Sequence, residues 1–405
     1  MAELFIELFS EEIPAKLQID ARRNIKRIIE EKLKKKEIKF NSSKSFSTPQ
    51  RLVFVMDGIP EKIEEKKKII KGPKVGVPEI ALDGFIKSNS LNKKDIYKKK
   101  IEKGEFYFAE TKPKSLDVFK ELQLIIPETL QNYSWKKSMK WSIYDLNWGR
   151  PLKSIIALLN NKIINFNFFH LQSSNLTTLD GTNEDKIKRI NSFKSYLNTL
   201  KSQNIILDQK KRKNIIMRKM NNICNTRQLK NNFNEKLIEE VVNLVEKPNV
   251  IVGKFDEIYL KIPKEILIVT MQQHQKYFPL FDNNDNLTNL FLLVSNLKDI
   301  KGYIKIGNQR VIEARLSDAK FFWDKNKTQN LVKQVVKLKN LSFFSNLGTF
   351  YDRTQRLRKL ASVISDQLSL SKEKVEIASS ICKADLVSDL VGEYPELQGV
   401  MGKYL

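Results

Sequence analysis

The chain has 405 residues, 72 Lys plus Arg against 47 Asp plus Glu, a net charge of +25 and 41% hydrophobic residues. At about 150 residues per domain this length allows roughly two to four domains with sizeable cores. Two cysteines, Cys224 and Cys382, and two histidines, His170 and His274, exclude a disulfide scaffold, a four-cysteine zinc site and any site built on three histidines within the chain.

In Leu4–Phe9, Leu4, Ile6 and Leu8 fall on one face and Glu7 on the other, the two-residue period of a strand. Pro14 opens a helix on which Ile25, Ile28, Ile29 and Leu33 keep the 3.6-residue period, with Arg22, Arg23, Lys26, Arg27, Lys32 and Lys34 on its other faces. Leu52–Met56 reads as a second strand, so the N-terminal region is expected to be α+β. Lys71-Gly72-Pro73-Lys74-Val75-Gly76-Val77-Pro78 reads as a turn-rich basic loop. Its glycines could offer backbone N–H groups to a phosphate, and an ordinary turn is the simpler account. Phe106–Ala109 predicts another strand. Ser138–Trp141 and Trp148–Pro151 bracket a short connection, and Ile155–Leu159 is a continuous apolar run expected to be buried. Between residues 186 and 230 stand 13 Lys or Arg and one acid, Asp208. Ile205, Ile215, Ile216, Met220 and Ile223 keep helical spacing there, which predicts a solvated basic helical segment. Leu237, Val241, Leu244 and Val245 form one helical face, and Val250–Val252 and Phe291–Val294 read as buried strands, with Asn283–Asn286 as a turn. Ile312, Leu316, Ala319 and Trp323 form one helix stripe. From Leu331 onward the pattern predicts helix alone.

Several chemistries are missing from the sequence. It holds no P-loop and no nucleophile elbow, and no apolar run approaches the ~18 residues of a membrane span. Glu3 and Glu7 stand where a signal peptide needs basic residues, so a cytoplasmic protein is expected. The positive charge is an electrostatic footprint for nucleic acid, although abundant Lys and Asn also follow from an AT-rich genome. The run Thr270-Met271-Gln272-Gln273-His274-Gln275-Lys276-Tyr277-Phe278 combines amides, a cation and two aromatics of the kind that contact RNA. It reads equally as a strand end packed under a turn, with His274 as a hydrogen-bonded structural residue. Arg310, Arg315 and Lys320 surround the Ile312 stripe, and guanidinium groups suit bidentate phosphate contact. Alternatively, Arg315 pairs with Asp318 three residues on. Val375, Ala378 and Cys382 share a helical face with Asp385 close beside them. With no histidine nearby, Asp385 is expected to be a satisfied structural acid rather than a metal ligand.

Taken in order, many segments resemble the beta subunit of bacterial heterotetrameric glycyl-tRNA synthetase. They are Ala2–Leu8 with Glu11-Glu12-Ile13-Pro14-Ala15, Thr48-Pro49-Gln50-Arg51-Leu52, Lys71–Gly76 and Lys103-Gly104-Glu105. Thr270–Phe278, Val294-Ser295-Asn296, Gly307-Asn308-Gln309-Arg310-Val311 and Ala314–Phe322 follow, and Lys383–Leu386 and Glu393–Gly402 close the series. The resemblance covers the whole length. It implies an assembly of two alpha and two beta subunits in the cytoplasm. The alpha subunit would use ATP, with Mg, to form the glycyl adenylate, and the beta subunit would bind tRNA(Gly) and support charging without a cofactor of its own. It implies an α+β multidomain chain divided at 1–150, an N-terminal α+β region; 151–330, a central α/β region with a tRNA-binding module similar to that of the phenylalanyl-tRNA synthetase beta subunit; and 331–405, the start of a helical domain related to HD phosphohydrolases.

Two departures accompany the resemblance. The chain stops at Leu405 inside the expected HD-like domain, so a C-terminally truncated product without the anticodon-binding domain is expected. Ser173–Glu184 lacks the Gly-His-Arg-Phe run that many members carry. Lys383 precedes Ala384-Asp385 where an HD site needs a His-Asp pair, so no catalytic residue and no metal site are expected here. Editing is not expected either, since glycine is the smallest amino acid and larger ones can be rejected by steric clash. The residues expected to meet tRNA are Lys71, Lys74, Arg150, Lys276, Arg310, Arg315 and Lys320. The rival readings are an HD-type phosphohydrolase and a general basic RNA-binding protein.

Overall fold

A computed structural model describes residues 2–64, 69–89, 91–101, 104–110, 115–179 and 187–405. Lys103 of the expected turn, residues 180–184 of the departing stretch and Lys186 lie outside the described residues. The architecture is α+β and multidomain, with two compact units, Met1–Asp208 and Gln209–Leu405.

The first unit begins with β1 (Ala2–Ser10), α1 (Ala15–Lys35), β2 (Ser42–Thr48) and β3 (Arg51–Ile59). Next come β4 (Lys62–Glu64), β5 (Ile69–Lys74), α2 (Glu79–Ser88), β6 (Ile96–Ile101), β7 (Gly104–Glu110), β8 (Ser115–Asp117) and α3 (Val118–Asn132). It ends with β9 (Leu152–Leu159), β10 (Lys162–Ile163), β11 (Asn167–Phe168), β12 (Leu171–Ser174), β13 (Leu176–Thr178), β14 (Ile187–Arg189) and α4 (Phe193–Ser202).

Its main sheet runs β11-β12-β9-β1-β3-β2, with β10 paired to β9. β1 is central, antiparallel to both β3 and β9. On one face Leu4, Ile6 and Leu8 meet Leu52, Phe54, Met56, Ile155 and Ala157, and the apolar stripes of α1 (Ile25, Ile29, Leu33) and α3 (Leu122, Ile126) join this core. On the other, Phe5, Val53, Val55, Ile156 and Leu158 pack with Tyr196 and Leu200 of α4. Burial on both faces explains why Ile155–Leu159 is continuously apolar rather than alternating. β9 lies beyond the expected division at residue 150, yet its hydrogen bonds to β1 place it in the same sheet as the N-terminus. The bracketed connection closes through a bridge between Met139 and Trp148. There Gly149 is needed for close approach, because a Cβ would fall 2.5 Å from the Trp135 ring.

The second unit comprises α5 (Gln209–Thr226), α6 (Glu235–Val242), β15 (Asn249–Lys254), α7 (Lys264–Val269), β16 (Phe278–Phe281), β17 (Leu287–Ser295), α8 (Tyr303–Lys327), α9 (Leu331–Gln334), α10 (Phe350–Gln367), α11 (Lys372–Ile381) and α12 (Asp389–Glu393). The antiparallel sheet β15-β17-β16 again separates two cores. Leu292 faces α5 and α6 residues such as Ile216, Met220, Ile238 and Val241. Its neighbours Phe291 and Leu293 face Ile312, Leu316, Ala319 and Trp323 of α8, the stripe read from sequence. Beyond the short strand β14, the basic segment is mainly helical, in α4 and α5, and its apolar spacing is used for burial. Even Arg212 is buried, donating through Nε to the Val242 carbonyl at 3.0 Å.

Two sequence-derived faces differ in the structure. Leu244 is exposed because α6 ends at Val242, two residues before it. Val375, Ala378 and Cys382 do not form a buried stripe, since α11 has no buried residue and Cys382 is exposed.

Candidate nucleic-acid interface

Lys71 and Lys74 lie on a strand, not in a loop. β5 is an edge strand of a separate antiparallel sheet, β5-β7-β6. Its pairing with β7 shifts register between Lys71 and Lys74. An edge position and a local irregularity are where a strand tolerates a proline that has no N–H to donate, which is how Gly72-Pro73 fits a segment that reads as a turn. Lys71 pairs with Phe108 and Lys74 with Phe106, so both lysines share one face of this sheet. Both are exposed, and neither forms an ion pair among the described residues. The Lys71 ammonium lies 3.5 Å from the centroid of the Phe106 ring, within cation–π range.

Arg150 precedes β9 and is partly exposed; its guanidinium donates to the Gly149 carbonyl at 2.8 Å.

In the second unit, Thr270–His274 is a π-helical turn continuing α7, rather than a strand end. Thr270 and Met271 are buried while Gln273 and His274 are exposed. The His274 ring lies 5.3 Å from that of Tyr394. Lys276 adopts φ +60° and pairs with Glu240 at 3.2 Å. The next residue, Tyr277, is buried and donates to Asn308 Oδ1 at 2.6 Å. Burial pushes its phenol up to about 12.

On α8, Arg310 and Arg315 are exposed and form no ion pair among the described residues, so Arg315 does not bridge to Asp318. Lys320 is ion-paired to Asp324 one turn on. These three cations do not share a face. At about 100° per residue, steps of five place successive members about 140° apart around the axis, which leaves Arg310 and Lys320 about 80° apart. Arg310 points away from the buried stripe, and Arg315 and Lys320 flank it on opposite sides. A rigid ligand lying along α8 meets at most two of them.

Asp385 is buried, and its carboxylate accepts from the Gly399 N–H while Ser388 Oγ donates to its carbonyl at 2.7 Å. It is a satisfied structural acid. Among the described residues no three His, Cys, Asp or Glu side chains come together as a metal-binding group. No helix among the described residues is long and apolar enough to cross a membrane.

The α+β chain thus combines excess positive charge with exposed strand and helix cations that form no ion pair among the described residues. The comparisons with known proteins agree with the residues quoted from the sequence. A family model described as "Glycyl-tRNA synthetase beta subunit" matches residues 4–405. Proteins named glycine–tRNA ligase beta subunit are similar along the chain. That of Rickettsia felis is 35% identical over 407 residues, and that of Rickettsia typhi 37% over 406, each match covering 100% of this chain and 60% of the relative. That of Clostridioides difficile is 37% identical over 413 residues, covering 99% and 59%. The chain belongs to the glycyl-tRNA synthetase beta subunit family, and spans about 60% of the length of these relatives.

Proposed function

We propose that this chain acts in glycine–tRNA ligation as a non-adenylating beta subunit. In this reading it binds tRNA(Gly) and supports ATP-dependent attachment of glycine by a separate alpha subunit, in the cytoplasm, in an assembly of two alpha and two beta subunits. ATP and Mg belong to the alpha subunit, and no cofactor is assigned to this chain. The observation that carries the reading is the family match across residues 4–405. The excess of 72 basic over 47 acidic residues supports an RNA partner. Within the chain, the proposed tRNA-binding module similar to phenylalanyl-tRNA synthetase beta lies in the central part and the HD-like helices begin near residue 331. Lys71, Lys74, Arg310 and Arg315, which form no ion pair among the described residues, are the foremost candidates for phosphate contact. Lys276 and Lys320 would first have to leave Glu240 and Asp324.

The test is glycine-dependent ATP–pyrophosphate exchange and tRNA charging with and without an alpha subunit. The isolated chain is expected to give no exchange, and exchange should follow the alpha subunit. Exchange by the isolated chain, or failure of the chain to bind tRNA(Gly) in the alpha-containing complex, would overturn the proposal.

A further inference from the structure

The small sheet carrying Lys71 and Lys74 has two unlike faces. Residues directly opposite in an antiparallel ladder point the same way. In β6 and β7 the pairs are Tyr97 with Phe108 and Lys99 with Phe106 on one face, and Lys98 with Tyr107 and Ile96 with Ala109 on the other. β5 adds Lys71 and Lys74 to the first face and Ile70 to the second. On the second face Ala109 is fully buried. α2 packs against β5, its Phe85 ring lying 2.8 Å from where a Gly72 Cβ would be.

No residue on the first face is buried. It presents Tyr97, Phe106 and Phe108, with Tyr97 40% and neighbouring Ile69 59% exposed. The Tyr97 and Phe108 rings lie near-parallel, 24° apart with centroids separated by 6.2 Å. Lysines are set between the rings: Lys71 over Phe106, and Lys99 5.9 Å from the Phe108 centroid. Glu110, at the end of β7, is the one acid on this face among the described residues. An open sheet presenting flat rings interleaved with cations offers two things together. Base planes can stack on the rings, and backbone phosphates can meet the ammonium groups.

We propose that the Tyr97–Phe106–Phe108 face of β5-β7-β6 is a stacking platform for unpaired nucleotides of the RNA partner. The assignment rests on the reading above that the partner is RNA, and it goes further by naming the form recognised: single-stranded nucleotides, read by ring stacking, rather than duplex read by charge. A duplex buries its base faces against one another, so rings on a protein surface gain nothing from it. An acidic protein surface would use the lysines and leave the rings without planar partners.

The test compares the full chain with Tyr97→Ala, Tyr97→Phe, Phe108→Leu and Lys99→Ala variants. The probes are an unstructured RNA of about 12 nucleotides, a length in the range covered by single-strand binding surfaces, and an RNA duplex of matched charge. The single strand carries 2-aminopurine, whose fluorescence falls when it stacks. Tyr97→Ala and Phe108→Leu should each weaken single-strand binding about 5- to 150-fold. They should restore probe fluorescence and leave duplex affinity unchanged. Tyr97→Phe should bind as the parent does, and Lys99→Ala should weaken both probes alike. Phe108→Leu keeps apolar volume, so retained circular dichroism with lost stacking separates the role from unfolding. Unchanged single-strand binding in both ring variants, equal losses for single strand and duplex, or an acidic peptide showing the same dependence on the rings would each overturn the platform while leaving RNA binding intact. A parent chain that binds neither RNA probe would overturn the functional reading as well.

Discussion

Two sheets of the first unit, the main sheet and β5-β7-β6, are built on the same two-residue period and put to opposite uses. In the main sheet both faces are covered, and even the charged residue at its centre is internal. Glu7 and Arg51 are both fully buried, with Arg51 Nε 3.3 Å from Glu7 Oε1. The same oxygen accepts from Tyr196 Oη at 2.5 Å and Thr177 Oγ1 at 3.0 Å. The Arg51 guanidinium lies 4.8 Å from the Phe9 centroid. In β5-β7-β6 the corresponding residues, Lys99 and Lys71 beside Phe106 and Phe108, remain at the surface. Alternation therefore specifies a strand, and which faces are buried depends on what else the chain folds over them. One sheet is a scaffold and the other is a surface.

The largest effect expected from breaking this contrast is at Glu7. Replacing Glu7 with Ala removes a fully buried carboxylate from beside the buried Arg51 guanidinium, a loss of about 3–5 kcal/mol, measured as a fall in denaturation midpoint at unchanged m-value. An effect near that of a surface charge would show that the pair is solvated in solution.

A second expectation concerns alkaline pH. Tyr133 packs beside the main-sheet core, and burial, then the nearby Asp20 carboxylate, raise its phenol to about 12, opposed by a hydrogen bond from Asn24. A folded value above the ordinary 10.0 means that this stabilisation is complete below pH 10 and is lost as pH rises toward 12. Absorbance titration of phenolate should show Tyr133 ionising late and together with unfolding. The Tyr133→Phe variant should lose that step. Ile156→Val, which trims one methylene from the double-sided core, should cost about 0.5–1.5 kcal/mol in the same denaturation assay.

The smallest stability effect is expected on the open sheet. Lys71→Ala and Lys99→Ala together should shift stability by less than about 0.5 kcal/mol. Their effect should instead appear in binding, lowering the salt slope of single-strand affinity by about 0.7 per lost phosphate contact. An unchanged slope would remove these lysines from the interface.

Much of the fold is legible in the sequence where burial is local and one-sided. The helix after Pro14, the Ile312 stripe and the turn at Asn283–Asn286 all follow from near-neighbour spacing. What resists reading is what depends on distant partners. Glu7 looks like the polar side of a half-buried strand because Arg51, Thr177 and Tyr196 are 44 to 189 residues away. Lys71–Lys74 looks like a loop because glycine and proline dominate the local signal, whereas pairing with β7 decides the conformation. The lysines of the candidate interface are visible as charge. The companionship of Tyr97 with Phe108 is not, since it exists only through the register of β6 on β7. At α8 the cations and the stripe are both legible, and the helical geometry already sets Arg310, Arg315 and Lys320 apart.

The place of β1 in the middle of its sheet also carries a consequence in time. β1 is synthesised before both of the strands that flank it, β3 and β9, and its Glu7 is bound by Tyr196, 189 residues later. At about 5–20 residues per second of synthesis, the N-terminal strand waits roughly 10–40 s for its last partner. Through that interval Leu4, Phe5, Ile6, Leu8 and Phe9 form an apolar strand with an unfilled side. The growing chain therefore exposes apolar surface that the folded unit covers.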